Sequence, residues 1–97
     1  MSSYIMLAKL TQQGFSNIKK IPTRFDAFKQ SLEQAGGQVK GFYLVTGQYD
    51  MVCIVEAPSD EVITKLGLAS AAKGAIRTQI MRAFTEDEYR KLIAALP

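Results

Sequence analysis

Apolar residues recur along the chain in two periods, and the changes between them divide it into strands and helices. Tyr4 to Thr11 (YIMLAKLT) is rich in β-forming types and predicts a strand. Gln12 to Ile21 predicts a loop, punctuated by Gly14. Pro22 then suits the first turn of a helix, because its missing N–H has no intrahelical acceptor there. In that helix Phe25, Phe28, Leu32 and Ala35 share one stripe, with Arg24, Asp26, Lys29, Gln30 and Glu33 on the other side. Gly36-Gly37 ends it. Gln38 to Thr46 and Met51 to Ala57 read as two strands joined through Gly47-Gln48-Tyr49-Asp50, a hairpin signal. Pro58-Ser59-Asp60 stops the second of these, and Ser59 is placed to cap a helix that buries Val62, Ile63, Leu66 and Ala69. Gly67 within it weakens the helix unless a neighbour packs close or the turn is irregular. After Lys73-Gly74 comes a last strand, Ile76 to Phe84. Thr85-Glu86-Asp87-Glu88 then forms a capping box before a short helix carrying Tyr89, Leu92, Ile93 and Leu96.

The order strand, helix, strand, strand, helix, strand, helix is the split βαβ pattern of an α+β, ferredoxin-like fold, βαββαβ with a C-terminal helix. Right-handed crossovers place both main helices on one face of a four-stranded antiparallel sheet. The other face should then be polar, but the strands do not alternate cleanly. Tyr4, Met6, Ala8 and Leu10 share one side of the first strand, yet Ile5 and Leu7 occupy the other. Val52 and Ile54 oppose Met51, Cys53 and Val55; Tyr43 and Val45 oppose Phe42 and Leu44. Both faces ask for burial, and a monomer tolerates only a few hundred Å² of contiguous apolar surface. A second copy packed sheet against sheet meets that demand, burying on the order of 800 Å² per partner. Strand ends and the C-terminal helix covering the surplus are the alternative.

Composition narrows the function classes. At 97 residues the chain suits one domain, spanning 1–97, and 47% hydrophobic content excludes disorder. There is no His and no Trp, and a single Cys, which removes His-based metal or haem ligation, Ser-His-Asp chemistry and any internal disulfide. Cys53, inside Met51-Val52-Cys53-Ile54-Val55, reads as a small buried hydrophobe. The methionines Met6, Met51 and Met81 read as core filling rather than soft-metal ligands. No apolar run reaches membrane-spanning length, and Met1-Ser2-Ser3-Tyr4 lacks the features of a secretion signal, so a cytoplasmic protein without a membrane partner is expected. The net charge of +3 is dispersed, and Phe42-Tyr43 lacks the basic-glycine-aromatic surroundings of an RNA-reading sheet, so no nucleic acid is expected.

Thr11-x-x-Gly14, Gly36-Gly37, Gly47-x-Tyr49-Asp50, Glu56-Ala57-Pro58 and Arg82-Ala83-Phe84, in that order, resemble the GYD domain family over essentially the whole chain. The resemblance implies a ferredoxin-like chain of the dimeric α/β-barrel superfamily, in agreement with the two-sided strands. That superfamily includes small monooxygenases, haem enzymes and amino-acid-sensing domains. The haem branch lacks a histidine here.

Four groups of residues are candidates for chemistry, each with a plainer reading beside it. Gly47, Tyr49 and Asp50, the family string, place a phenol and a carboxylate at a hairpin end, able to hold a polar ligand; they also suit a simple turn in which Asp50 bonds nearby backbone and Tyr49 packs. Lys19, Lys20 and Arg24 gather at the start of the first helix, where the backbone is already partly positive, so they either hold an anion or are solvated. Arg77 and Arg82, an odd number apart on the last strand, face opposite sides of the sheet. Each either pairs with Glu56 or Asp50 across the strands or lines a ligand cavity. Tyr43 is a further polar group on a strand. The expectation is a homodimer, open to higher assembly, that binds a small polar or anionic molecule between sheet and helices or along the subunit seam, with no catalytic residue assigned and no metal or cofactor. The alternatives are a cofactor-free monooxygenase-like enzyme on aromatic or quinone substrates and an oligomerisation or interaction module.

Overall fold

The computed structural model describes residues 1–97. Strand β1 (Ser2–Leu10) is followed by helix α1 (Gln12–Ser16), a 3-10 turn (Ile18–Lys20), α2 (Ile21–Gln34), β2 (Gln38–Leu44), β3 (Met51–Ala57), α3 (Asp60–Ala72), β4 (Ile76–Ala83) and α4 (Glu86–Ala94). The sheet is antiparallel in the order β2-β3-β1-β4, so the expected α+β ferredoxin-like architecture is the one that forms. Lys40 is the extra residue of an irregularity between Val39 and Gly41 in β2.

The core lies between the sheet and the pair α2 and α3. Tyr4, Met6, Cys53, Val55 and Ala57 project from the two central strands onto Leu32 of α2 and Ile63 of α3. Helices α3 and α4 are also fixed by side-chain caps. Ser59 caps α3 by accepting from the Val62 N–H at 3.3 Å. The α4 box closes both ways: Thr85 Oγ1 accepts from Glu88 N–H at 3.2 Å, and Glu88 accepts from Thr85 N–H at 2.9 Å. That second bond is the main reason the exposed Glu88 carboxyl sits below its ordinary pKa. Gly67 is explained by close packing: a Cβ there would come within 2.6 Å of Ile80 Cδ1.

Three sequence expectations change. The stretch Gln12 to Ile21 is not a loop but α1 and the 3-10 turn, because Thr11 caps α1 through the Gly14 N–H at 3.1 Å. Ala35 and Ala69 carry the apolar spacing yet are exposed, Ala35 as the C-cap of α2. Neither Arg77 nor Arg82 pairs with Glu56 or Asp50, because β1 lies between β4 and β3. Glu56 faces Lys40 instead, at 3.9 Å, and Asp50 takes backbone.

Candidate functional site

The rows of side chains on the helix-facing side of the sheet set the shape of the site. One row runs Val55–Tyr4–Arg82 and the next Cys53–Met6–Ile80. The third, Met51–Ala8–Thr78, has its smallest side chain at the centre. Above this dip lie Ile21, Arg24, Phe25 and Phe28 of α2, Ser70 of α3 and Lys73 at the end of α3. They border a cavity of about 90 Å³ between sheet and helices, partly open to solvent, with Phe42 of β2 as a further wall. Phe25 and Phe42 pack with tilted rings 4.3 Å apart between centroids, and Phe25 and Phe28 stack at 6.2 Å. A second, smaller space of about 70 Å³ runs between α2 and α3; it shares Arg24, Phe28, Ser70 and Lys73 with the first. Only Arg24, Ser70, Lys73 and Thr78 bring nitrogen or oxygen side chains to the larger cavity.

Within that polar group Arg24 stands out. Its Nη1 is buried and has no hydrogen-bond acceptor from the protein. Cys53 also lines the cavity, and burial, opposed by Lys29, pushes its thiol from the ordinary 9.0 up to about 11. At neutral pH it is a protonated wall atom and a poor nucleophile.

The other sequence candidates are dispersed. Lys19 and Lys20 are exposed on the 3-10 turn and do not line the cavity with Arg24. Gly47 adopts φ +138°, a conformation that favours glycine, and so supplies the bend between β2 and β3. Asp50 ties that bend to β1: its carboxylate accepts from Leu10 N–H at 2.8 Å, its N–H donates to Ala8 O at 2.9 Å, and its carbonyl accepts from Val45 N–H at 2.8 Å. The Tyr49 hydroxyl donates to Gln79 Oε1 at 2.6 Å. Each partner there belongs to the protein, as a turn requires. Tyr43 faces away from the helices, opposite Val52, and is exposed. Arg77 lies beside Lys9 on the same open face, and Arg82 beside Tyr4 on the helical side, so the two arginines do point oppositely. Arg82 lies 4.4 Å from the Phe84 ring centroid and 5.8 Å from that of Tyr4, and donates to the carbonyls of Ser3 and Ala83.

Of the predicted site residues, then, Arg24 alone borders the cavity. Ser70, Lys73 and Thr78 join it, and sequence reading missed all three; Lys73 carried only the signal of a helix end.

A family model described as the GYD domain matches residues 4–93. The chain is 33% identical over 84 residues, which is 86% of its own length and 88% of the other's, to a Thermus thermophilus protein named "Glutamine synthetase and cystathionine beta-lyase binding protein". Among solved structures it is similar to MtbAldR, with TM-score 0.65 and 16% identity, 88% of this chain covering 52% of that one, about half its length. It is also similar to TTHA0845 from Thermus thermophilus, with TM-score 0.53 and 22% identity, covering 88% of this chain and 95% of that one. At such identities these two structures speak to the fold alone. The matched length and the ordered motifs together place the chain in the GYD domain family.

Proposed function

We propose that this member of the GYD family is a homodimeric binding domain that encloses a small polar or anionic molecule between each sheet and its helical layer. The observation that carries this reading is the cavity itself: apolar and aromatic walls around a few polar groups, at about 90 Å³. Small-molecule sites have that make-up, with the apolar walls giving affinity and the polar groups orientation. Binding is favoured over catalysis because the cavity's thiol is held protonated and no carboxylate reaches it to serve as a base. The homodimer is supported by the sheet's other face, where Ile54, Ile5 and Met81 form one apolar row and Val52 and Leu7 part of the next.

A thermal-shift screen of small organic acids and neutral polar compounds tests the reading, with Ala8→Leu as the control that fills the cavity floor. The parent should be stabilised by at least one class and Ala8→Leu by none. No stabilisation of the parent, or equal stabilisation of both proteins, would count against it.

A second reading, an interaction module, draws on α4. That helix buries no residue, and its Tyr89, Leu92 and Ile93, with Leu96 just beyond it, are each more than half exposed. The name of the Thermus thermophilus relative, a binding protein for two enzymes, points the same way. Replacing Leu92 and Ile93 by Ser should abolish capture of glutamine synthetase if α4 is a docking helix, and leave small-molecule stabilisation intact.

A further inference from the structure

Arg24, Phe28, Ser70 and Lys73 border both the cavity over the Met51–Ala8–Thr78 row and the space between α2 and α3, so they stand where the two meet. Arg24, which lines both spaces, also has its Nη1 buried without an acceptor. The chain's ion pairs lie elsewhere, Lys40 with Glu56 and Arg90 with Glu86, so neither Arg24 nor Lys73 is neutralised by a carboxylate of the protein. A buried guanidinium N–H left unpaired is unfavourable, and the exposed Lys73 adds a second positive charge at the rim of the same space. The group that relieves both is an anion with acceptor oxygens. Its remaining atoms would meet Met6, Phe25, Phe42 and Met51, all apolar.

Resting on the binding function proposed above, we infer that the ligand is a small monocarboxylate with a short apolar body. Its carboxylate accepts hydrogen bonds from the Arg24 guanidinium, beside Lys73 and Ser70, and its body fills the space over Ala8. Size guides the choice of body: the space of about 90 Å³ is smaller than the apolar cavity of about 150 Å³ that takes up benzene, but it is partly open to solvent, so a short branched aliphatic chain can enter it.

Isothermal titration calorimetry of the full chain with 4-methylpentanoate, its neutral amide 4-methylpentanamide, and acetate separates charge from shape. The parent should bind 4-methylpentanoate at least tenfold more tightly than either of the others. Arg24→Gln should weaken the acid about 10- to 100-fold while leaving the amide within about threefold, and Arg24→Lys should recover part of the loss. If acid and amide bind alike and Arg24→Gln changes neither, the carboxylate assignment fails while cavity binding stands. If acetate equals 4-methylpentanoate, the apolar body fails. If the parent binds none of the three, this inference fails outright, and the screen above decides whether the binding function goes with it. Arg24→Met, melted without ligand, keeps a folding defect from confusing the result. Its Tm should equal or exceed the parent's by a few degrees, since it removes an unpaired buried N–H. A lower Tm would mean that Arg24 serves the fold rather than a ligand, and would overturn the inference.

Discussion

Tyr4 shows how one residue joins two layers of this molecule. Its ring is buried at the centre of the sheet, and its hydroxyl donates to the Asp60 carboxylate in the first turn of α3. Burial first, and then that carboxylate, raise its pKa above the usual 10.0. Tyr4→Phe keeps the packing and removes the bond, so urea unfolding at neutral pH should show a loss of about 1.5 kcal/mol; an unchanged midpoint would contradict the role. Cys53 makes a pH prediction. Folding raises its pKa from 9.0 to about 11, so the folded state prefers the thiol. The stability this confers is complete below pH 9.0 and declines as the pH rises toward about 11. Urea midpoints of the parent should therefore fall more steeply than those of Cys53→Ala across that window. Parallel curves would show that the thiol is not desolvated.

The element most instructive about what a sequence reveals is α1. Its five residues carry no apolar stripe, and Gly14 reads as a breaker. In the fold Gly14 is there because a side chain would collide with the carbonyl of Ala75, and Thr11 binds both the Gly14 N–H and the Gly74 carbonyl, at 3.1 and 2.6 Å. The family string Thr11-x-x-Gly14 thus encodes a contact between the start of α1 and the turn before β4, which local pattern cannot show. Gly14→Ala should cost about 2 kcal/mol in urea unfolding, because the obstacle is backbone and cannot rotate away; a neutral change would mean that the contact gives. The strands, α2, α3 and the capping box of α4 were legible because each rests on local periodicity or a local hydrogen bond. The cavity was not. Arg24 meets Ser70, Lys73 and Thr78 only after the sheet brings α2, α3 and β4 together, and a lysine at a helix end looks the same whether or not a cavity lies behind it. At α4, Thr85→Ala should reduce helicity and amide protection in 86–94 while leaving the global midpoint within about 0.5 kcal/mol, since the helix buries nothing. A larger global loss would show that α4 is packed against something in solution.

As a whole the molecule is a plate, 52 × 31 × 18 Å, one sheet and one helical layer thick. Its helical side borders the cavity and its other side presents the Ile54–Ile5–Met81 row, where Ile54 and Met81 stay 36% and 37% exposed. A charge in that row should hold the protein as single chains. Light scattering is expected to give twice the 10.7 kDa chain mass for the parent and one chain for Ile54→Lys; a monomeric, folded parent would remove the dimer from the account. The methionines give the most direct test of where a ligand goes, because Met6 and Met51 line the cavity while Met81 lies on the open face. Titrating 4-methylpentanoate into protein labelled with ¹³C at the methionine methyls should shift the Met6 and Met51 signals together, saturably, and leave Met1 and Met81 in place. Shifts confined to Met81, or no shift at Met6 and Met51 at saturating ligand, would contradict binding between the sheet and its helices.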